Sequence, residues 1–213
     1  MAQPPTLRDK LVECSQTLED WMPIYDAFVA RLRGLGVGEL APRPGDRFVD
    51  FVLPDINGRF HSLDTMVANG PLVLSFNRGG WCPYCRSELA TWRTHEADLA
   101  GLGARFVSIA AEVGGRAKVL GDILGPGALV LCDIDHGLAL MAGLAFHCEA
   151  DLRRRYLDCG LDLSEIYGTD NGLLPVPATF VLTPDKIVRY AFLDPDFRKR
   201  ADPSDVLSVL AAL

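Results

Sequence analysis

The sequence predicts an α/β fold: a mixed, largely parallel central sheet flanked by helices, with an N-terminal β-hairpin and an N-terminal helical arm. Three observations carry this. Short, nearly continuous apolar runs at residues 71–76, 105–110 and 128–132 have the character of strands buried on both faces. Stretches with helical spacing separate them, which implies crossover units and parallel neighbours. Of 213 residues, 49% are apolar and 23% charged, a globular balance with enough apolar side chain for a sizeable core.

The elements follow in order. Between residues 6 and 32, Leu7, Leu11, Cys14, Leu18, Trp21, Tyr25, Phe28 and Leu32 alternate steps of four and three, a helical seam. Pro23 lies inside it, removes a backbone bond and predicts a kink or two helices. The seam reads as an arm packed on its own domain; the alternative is a homodimer arm. Gly- and Pro-rich residues 34–45 read as a linker, so residues 1–40 form the arm and linker and residues 41–213 the main domain. Asn57-Gly58 between the runs 48–53 and 59–63 signals a hairpin. After the strand at 71–76, helical spacing resumes over 86–102, then strand 105–110, helix 116–124, strand 128–132 and a short helix at 136–144. Residues 146–172 break the rhythm and contain a charged amphipathic helix at 151–157. Two β-rich runs, 178–182 and 186–192, meet at the turn Thr183-Pro184-Asp185. Asp202 then caps a closing helix with Pro203 in its first turn.

Composition narrows the function. The formal charge is -7, with no Lys/Arg stripe, so neither nucleic acid nor an anionic membrane is an expected partner. No apolar stretch is long enough to span a bilayer, and the start of the chain lacks the pattern of a secretory signal. Six scattered cysteines without an export signal fit a reducing compartment, and the expected location is cytoplasmic.

The informative segment is Arg78-Gly79-Gly80-Trp81-Cys82-Pro83-Tyr84-Cys85-Arg86, which follows a buried strand and opens a helix. Cys82 falls at the helix N-cap, where unpaired N–H groups and the macrodipole favour a thiolate. Pro83 suits the first helical position. Cys85 lies three residues on, on the same face and one turn deeper. The pair therefore reads as an attacking thiol, Cys82, and a resolving thiol, Cys85. Gly79 and Gly80 permit a sharp turn and close approach of backbone to substrate.

Two Cys at this spacing are also half of a zinc site. Such a site needs two further ligands, usually another close pair, and the remaining Cys and His are dispersed. Redox chemistry is the preferred reading, with no metal and no organic cofactor. Trp81 alone reads as core. Cys14 and Cys132 read as small hydrophobes, and Cys148 and Cys159 as inert, the alternative for either being a resolving thiol.

These residues resemble a known family. A Trp-Cys-x-x-Cys at a strand-to-helix junction, with Val176-Pro177-Ala178-Thr179-Phe180 opening a later strand, resembles the thioredoxin fold. The resemblance implies a cis Pro177 facing the cysteine pair. Residues 45–55, the Asn57-Gly58 turn, residues 72–86 and the ending at 194–203 are similar to the peroxiredoxins, the alkyl hydroperoxide reductase and thiol-specific antioxidant family. The resemblance spans residues 44–213 and implies a thioredoxin-like, peroxiredoxin-type sandwich and a thiol-dependent peroxidase. Cys82 would attack a peroxide and become a sulfenic acid, Cys85 would close the disulfide, and thioredoxin or a glutathione-type donor would reduce it. Acting on protein disulfides, or serving as a redox-sensing binding module, are the alternatives. Where the family carries Pro and Thr, seven and three residues before its reactive Cys, this chain has Ser75 and Gly79. The Thr hydroxyl normally helps to hold peroxide. The family's later-strand Arg falls where this chain reads Val176-Pro177, and Arg78 is the nearest cation to substitute for it.

Overall fold

The computed structural model describes residues 5–213; the first four residues of the predicted arm lie outside them. The seam of apolar residues forms two helices, α1 (Leu7–Thr17) and α2 (Met22–Gly34), joined by one 3₁₀ turn. The break precedes Pro23, which sits in the first turn of α2, where its missing N–H costs no helical bond. Thr6 and Asp9 cap α1 reciprocally: the Asp9 N–H donates to Thr6 Oγ1 (3.2 Å) and the Thr6 N–H to Asp9 Oδ2 (2.9 Å).

The hairpin is short: β1 (Val52–Pro54) pairs antiparallel with β2 (Phe60–Ser62), with Gly58 at positive φ in the turn. Then come α3 (Leu63–Val67), β3 (Leu72–Phe76), α4 (Pro83–Arg93) and α5 (Glu96–Gly101). The single helix expected over 86–102 is thus divided at Thr94-His95. β4 (Arg105–Ala110), α6 (Lys118–Leu124), β5 (Leu129–Cys132) and α7 (Gly137–Met141) complete the alternating part. The irregular segment holds more than the one expected helix: β6 (Ala145–His147), α8 (Ala150–Asp158), α9 (Leu163–Tyr167) and β7 (Leu173–Pro175), with β6 and β7 paired antiparallel. β8 (Ala178–Leu182), β9 (Val188–Leu193) and α10 (Pro203–Ala211) close the chain.

The central sheet has the order β5-β4-β3-β8-β9. β3, β4 and β5 run parallel, and β8 and β9 are antiparallel to their neighbours, so the sheet is mixed. β3 lies at its centre and is buried throughout. Leu72, Leu74 and Phe76 pack with Phe48, Leu63 and Phe180 on one face, while Val73 packs with Leu89, Trp92, Leu120 and Val206 on the other. A third apolar cluster gathers α2, α8, α9 and Phe197 around Cys82 and Cys85. Helix α1 lies on α4, where Lys10 Nζ donates to Thr91 Oγ1 (3.0 Å) and Ser15 Oγ meets Tyr84 Oη (3.0 Å).

The expected cis bond at Val176–Pro177 is not present; no peptide bond among the described residues is cis. The reason lies in the path of the chain. Val176 donates its N–H to the Leu144 carbonyl (2.8 Å), and β7 runs on almost directly into β8. Only Val176 and Pro177 separate the two strands, and the bond between them is the trans form that X–Pro pairs ordinarily favour.

One buried group bears on stability. His136 is fully buried in left-handed backbone (φ 59), its ring against Tyr167 (4.8 Å), and neither ring nitrogen has a partner among the described residues. Burial pulls its pKa down to about 4 from an ordinary 6.5. Below pH 6.5 the unfolded chain binds this proton and the folded one does not, so stability falls as pH drops towards 4. The effect reaches about 3 kcal/mol for this group alone. Chemical denaturation from pH 7 to 4 should therefore show a shallower acid-side loss for His136→Phe than for the parent. Equal slopes would assign the loss to other groups.

Candidate active site

The site is built at the exit of β3. Asn77 extends the strand, its N–H donating to the Ile109 carbonyl (2.8 Å), and its side chain ties Ser75 Oγ to Ser108 Oγ (3.1 Å each). Gly79 then turns the chain with φ +127, a conformation L side chains rarely adopt. Cys82 is the N-cap of α4, with extended backbone (φ -88, ψ 117); its carbonyl accepts the Arg86 N–H (3.1 Å) and Pro83 occupies the first turn. Cys82 is 1% exposed and Cys85 0%, so both sulfurs are shut away from solvent.

Burial opposes a charged sulfur, yet Cys82 titrates low. The hydrogen bond from the Cys85 thiol and the charges of Arg78 and Arg200 outweigh burial and bring Cys82 down to about 6. Cys85 goes the other way: burial, then the neighbouring Cys82, push its thiol well above the usual range. The environment therefore separates two chemically identical thiols into a thiolate and a thiol.

Arg78 is itself buried and lies in an aromatic cage. Its guanidinium sits 4.1 Å from the Phe197 ring, 4.6 Å from Trp81 and 5.8 Å from Tyr156, and Nη2 donates to Tyr156 Oη (2.9 Å). Burial works against its charge, and Tyr156 and Cys82 more than compensate. Trp81 Nε1 donates to the Arg78 carbonyl and to Tyr167 Oη (3.0 Å each), which fixes the turn that carries the cation. On the other side, Arg200 donates through Nη2 to Cys85 Sγ (3.3 Å) and through Nε to Glu88 Oε2 (2.6 Å). Glu88 in turn accepts from Ser75 Oγ (3.0 Å).

The structure thus brings Cys82, Cys85, Arg78 and Trp81 together. Pro177 is buried at the head of β8, and the preceding Val176 packs in the cluster that holds both sulfurs. Cys148 lies in the same cluster, but burial pushes its thiol up to about 11, which makes it unreactive. Cys14 and Cys132 are half-buried, and Cys159 is exposed. Among the described residues, no group of His, Cys, Asp and Glu could hold a metal ion, and the sulfurs face guanidinium groups, surroundings that repel a cation.

Sequence reasoning missed Arg200, Glu88, Glu112, Tyr156 and Tyr167. Glu88 was within reach of the motif's own logic, since it lies on α4 one turn beyond Cys85. The others come from distant segments that no spacing rule connects to residue 82. Glu112 explains why residue 79 is glycine. Its Oε2 accepts the Gly80 N–H (3.0 Å), and a Cβ at position 79 would meet its carboxyl carbon at 2.6 Å. The hydroxyl that the resemblance places at this position has no room.

Two outcomes follow from this geometry. The rate of Cys82 alkylation by a small reagent should rise with a midpoint near pH 6 and level off above 7. A midpoint near an ordinary thiol value, about 8.5, would remove the case for a stabilised thiolate. Gly79→Thr, although it supplies the family's hydroxyl, should cost at least about 2 kcal/mol through its backbone and the Glu112 contact. Thermal unfolding checks this, and a neutral substitution would show that Glu112 yields freely.

Comparisons with known proteins place the chain. No curated protein matches the sequence. Among solved structures, peroxidoxin BcpB from Mycobacterium tuberculosis is 21% identical, with a TM-score of 0.62 over 81% of this chain and 98% of that one. A cysteine-to-serine mutant of peroxiredoxin 6 of Arenicola marina is 18% identical, with a TM-score of 0.63 over 79% of this chain and 72% of that one. AhpC of M. tuberculosis is 15% identical, with a TM-score of 0.58 over 81% and 93%. At these identities the likeness speaks for the fold, which is the thioredoxin-like fold of peroxiredoxins. The AhpC/TSA family model matches residues 44–191, well over half of the chain, and the chain accordingly belongs to the AhpC/TSA family of thiol-dependent peroxidases.

Proposed function

We propose that Cys82 is the thiol that attacks peroxide and Cys85 the thiol that resolves it. The Cys82 thiolate attacks one peroxide oxygen, the O–O bond breaks, and the alkoxide or hydroxide leaves and takes up a proton. Cys82 is left as a sulfenic acid. Cys85 then displaces the sulfenic oxygen as water and forms the Cys82–Cys85 disulfide. A dithiol of the thioredoxin type, or a glutathione-type donor, returns both to thiols. The cycle uses no metal and no organic cofactor. Arg78 supports the thiolate, Trp81 holds the turn beneath it, and Pro177 packs the strand behind. The six free thiols support a reducing, cytoplasmic setting.

One observation carries this reading: two buried sulfurs one helical turn apart, with Cys82 brought down to about 6 and Cys85 pushed far up. That is the division of labour an attacking and a resolving thiol need. Complete burial also favours a small oxidant over a folded protein disulfide.

The test is consumption of hydrogen peroxide and of an organic hydroperoxide by the purified protein, with and without a thioredoxin system or glutathione. The parent should turn over with a donor. Cys82→Ser should lose at least about 10³-fold in activity, as expected for loss of a covalent nucleophile. Cys85→Ser should react once and accumulate sulfenic acid or a mixed disulfide on Cys82. Failure to consume either peroxide, together with efficient reduction of insulin disulfides, would overturn the assignment.

A further inference from the structure

Arg200 is the feature the cycle above leaves unused. It lies on an irregular segment before α10, its side chain 2% exposed, and its fork is fully committed. Nη2 donates to Cys85 Sγ (3.3 Å), Nε to Glu88 Oε2 (2.6 Å), and Nη1 to the carbonyls of Lys199 (2.8 Å) and Phe197. Glu88 is held from behind by Ser75, and Ser75 by Asn77. A guanidinium anchored at three points, Glu88 and two carbonyls, has a single orientation, and its remaining edge meets the resolving sulfur.

We propose that Arg200 is a catalytic residue of the resolving step: it holds the Cys85 thiolate that attacks oxidised Cys82, with Glu88 as its positioning residue. The inference rests on the dithiol reading above. In the reduced enzyme, Cys82 carries the negative charge, and burial together with that neighbouring charge keeps Cys85 protonated. Once Cys82 becomes a neutral sulfenic acid, the opposing charge is gone while Arg200 remains in contact with Cys85. The Cys85 S–H then ionises against the guanidinium. Its thiolate attacks Cys82 Sγ, the S–S bond forms and the S–O bond breaks, and the departing hydroxide combines with the proton released by Cys85 to give water. Arg200, which first helps to hold the Cys82 thiolate, thus takes up the charge of Cys85 once Cys82 has reacted.

The second step can be read without peroxide. Methyl methanethiosulfonate places a methylthio group on Cys82. Cys85 then attacks Cys82 Sγ and methanethiolate leaves, and mass spectrometry follows conversion of the adduct to the intramolecular disulfide. The rate is unimolecular and independent of how readily Cys82 ionised. Arg200→Met should slow it at least tenfold and move its pH midpoint up by about one unit or more, and Arg200→Lys should recover part of the rate. Because Arg200→Met leaves Glu88 buried without its partner, the double variant Arg200→Met/Glu88→Gln, checked for cooperative unfolding, is measured beside it and should be slowed to the same degree. Glu88→Gln alone should slow the step less, since the guanidinium remains. A folded double variant that closes the disulfide at the parental rate and pH would overturn the role of Arg200. A parent that closes the disulfide from the adduct yet fails to consume peroxide would overturn the peroxidase reading and leave this one standing.

Discussion

Everything in this site depends on keeping a charged sulfur in an interior from which water has been removed. Such a charge is costly unless fixed partners surround it. Here the partners are two guanidinium groups that are themselves buried, so each needs anchors of its own. The anchors of Arg78 are Tyr156 and the rings of Trp81 and Phe197; those of Arg200 are Glu88 and two carbonyls. The site is therefore less a pair of cysteines than a set of linked charges that recruits residues from most of the chain.

That demand accounts for the parts of the structure outside the alternating α/β core. The 3₁₀ turn of the arm lays Trp21 on Tyr156 (5.5 Å, stacked), and α2 sets Tyr25 against Phe197 (4.8 Å, edge-on). Both of those rings face Arg78. The irregular segment supplies Tyr156 from α8 and Tyr167 from α9, and the latter's hydroxyl donates to the Arg78 carbonyl. The arm and the insertion together form an aromatic roof over one cation. Rings suit this task because they exclude water while their faces still attract a positive charge.

What was legible in the sequence follows the range of the interactions. The strand-to-helix junction, the place of Cys82 at the helix N-cap with Cys85 one turn on, and Arg78 beside them all rest on contacts within one or two turns of chain. So do the kinked arm, the Asn57-Gly58 hairpin and the Asp202 cap, whose side chain accepts the Ser204 N–H (2.9 Å). Arg200, Tyr156, Tyr167 and Glu112 were not legible, because their roles exist only once distant segments meet. The β6–β7 pair was hidden for the same reason: each strand is three residues long and gains its identity only from the other. The cis proline failed differently. It was carried over from a fold-level likeness, whereas in this chain Val176 is engaged by the Leu144 carbonyl and its bond to Pro177 is trans.

Two of the departures from the pattern that the resemblance implies, at residues 75 and 79, have partners elsewhere in the fold. Ser75 stands where a proline would, and its hydroxyl binds Glu88. Glu88 aligns Arg200, a buried cation brought in from the C-terminal segment. A proline at 75 would remove that hydroxyl and leave one buried carboxylate oxygen without a donor. Gly79 gives up a hydroxyl, and in its place the Glu112 carboxylate approaches and accepts the Gly80 N–H. A buried carboxylate needs such N–H donors, and a side chain at 79 would push it away from them. Each substitution is thus sterically or electrostatically tied to another elsewhere in the fold.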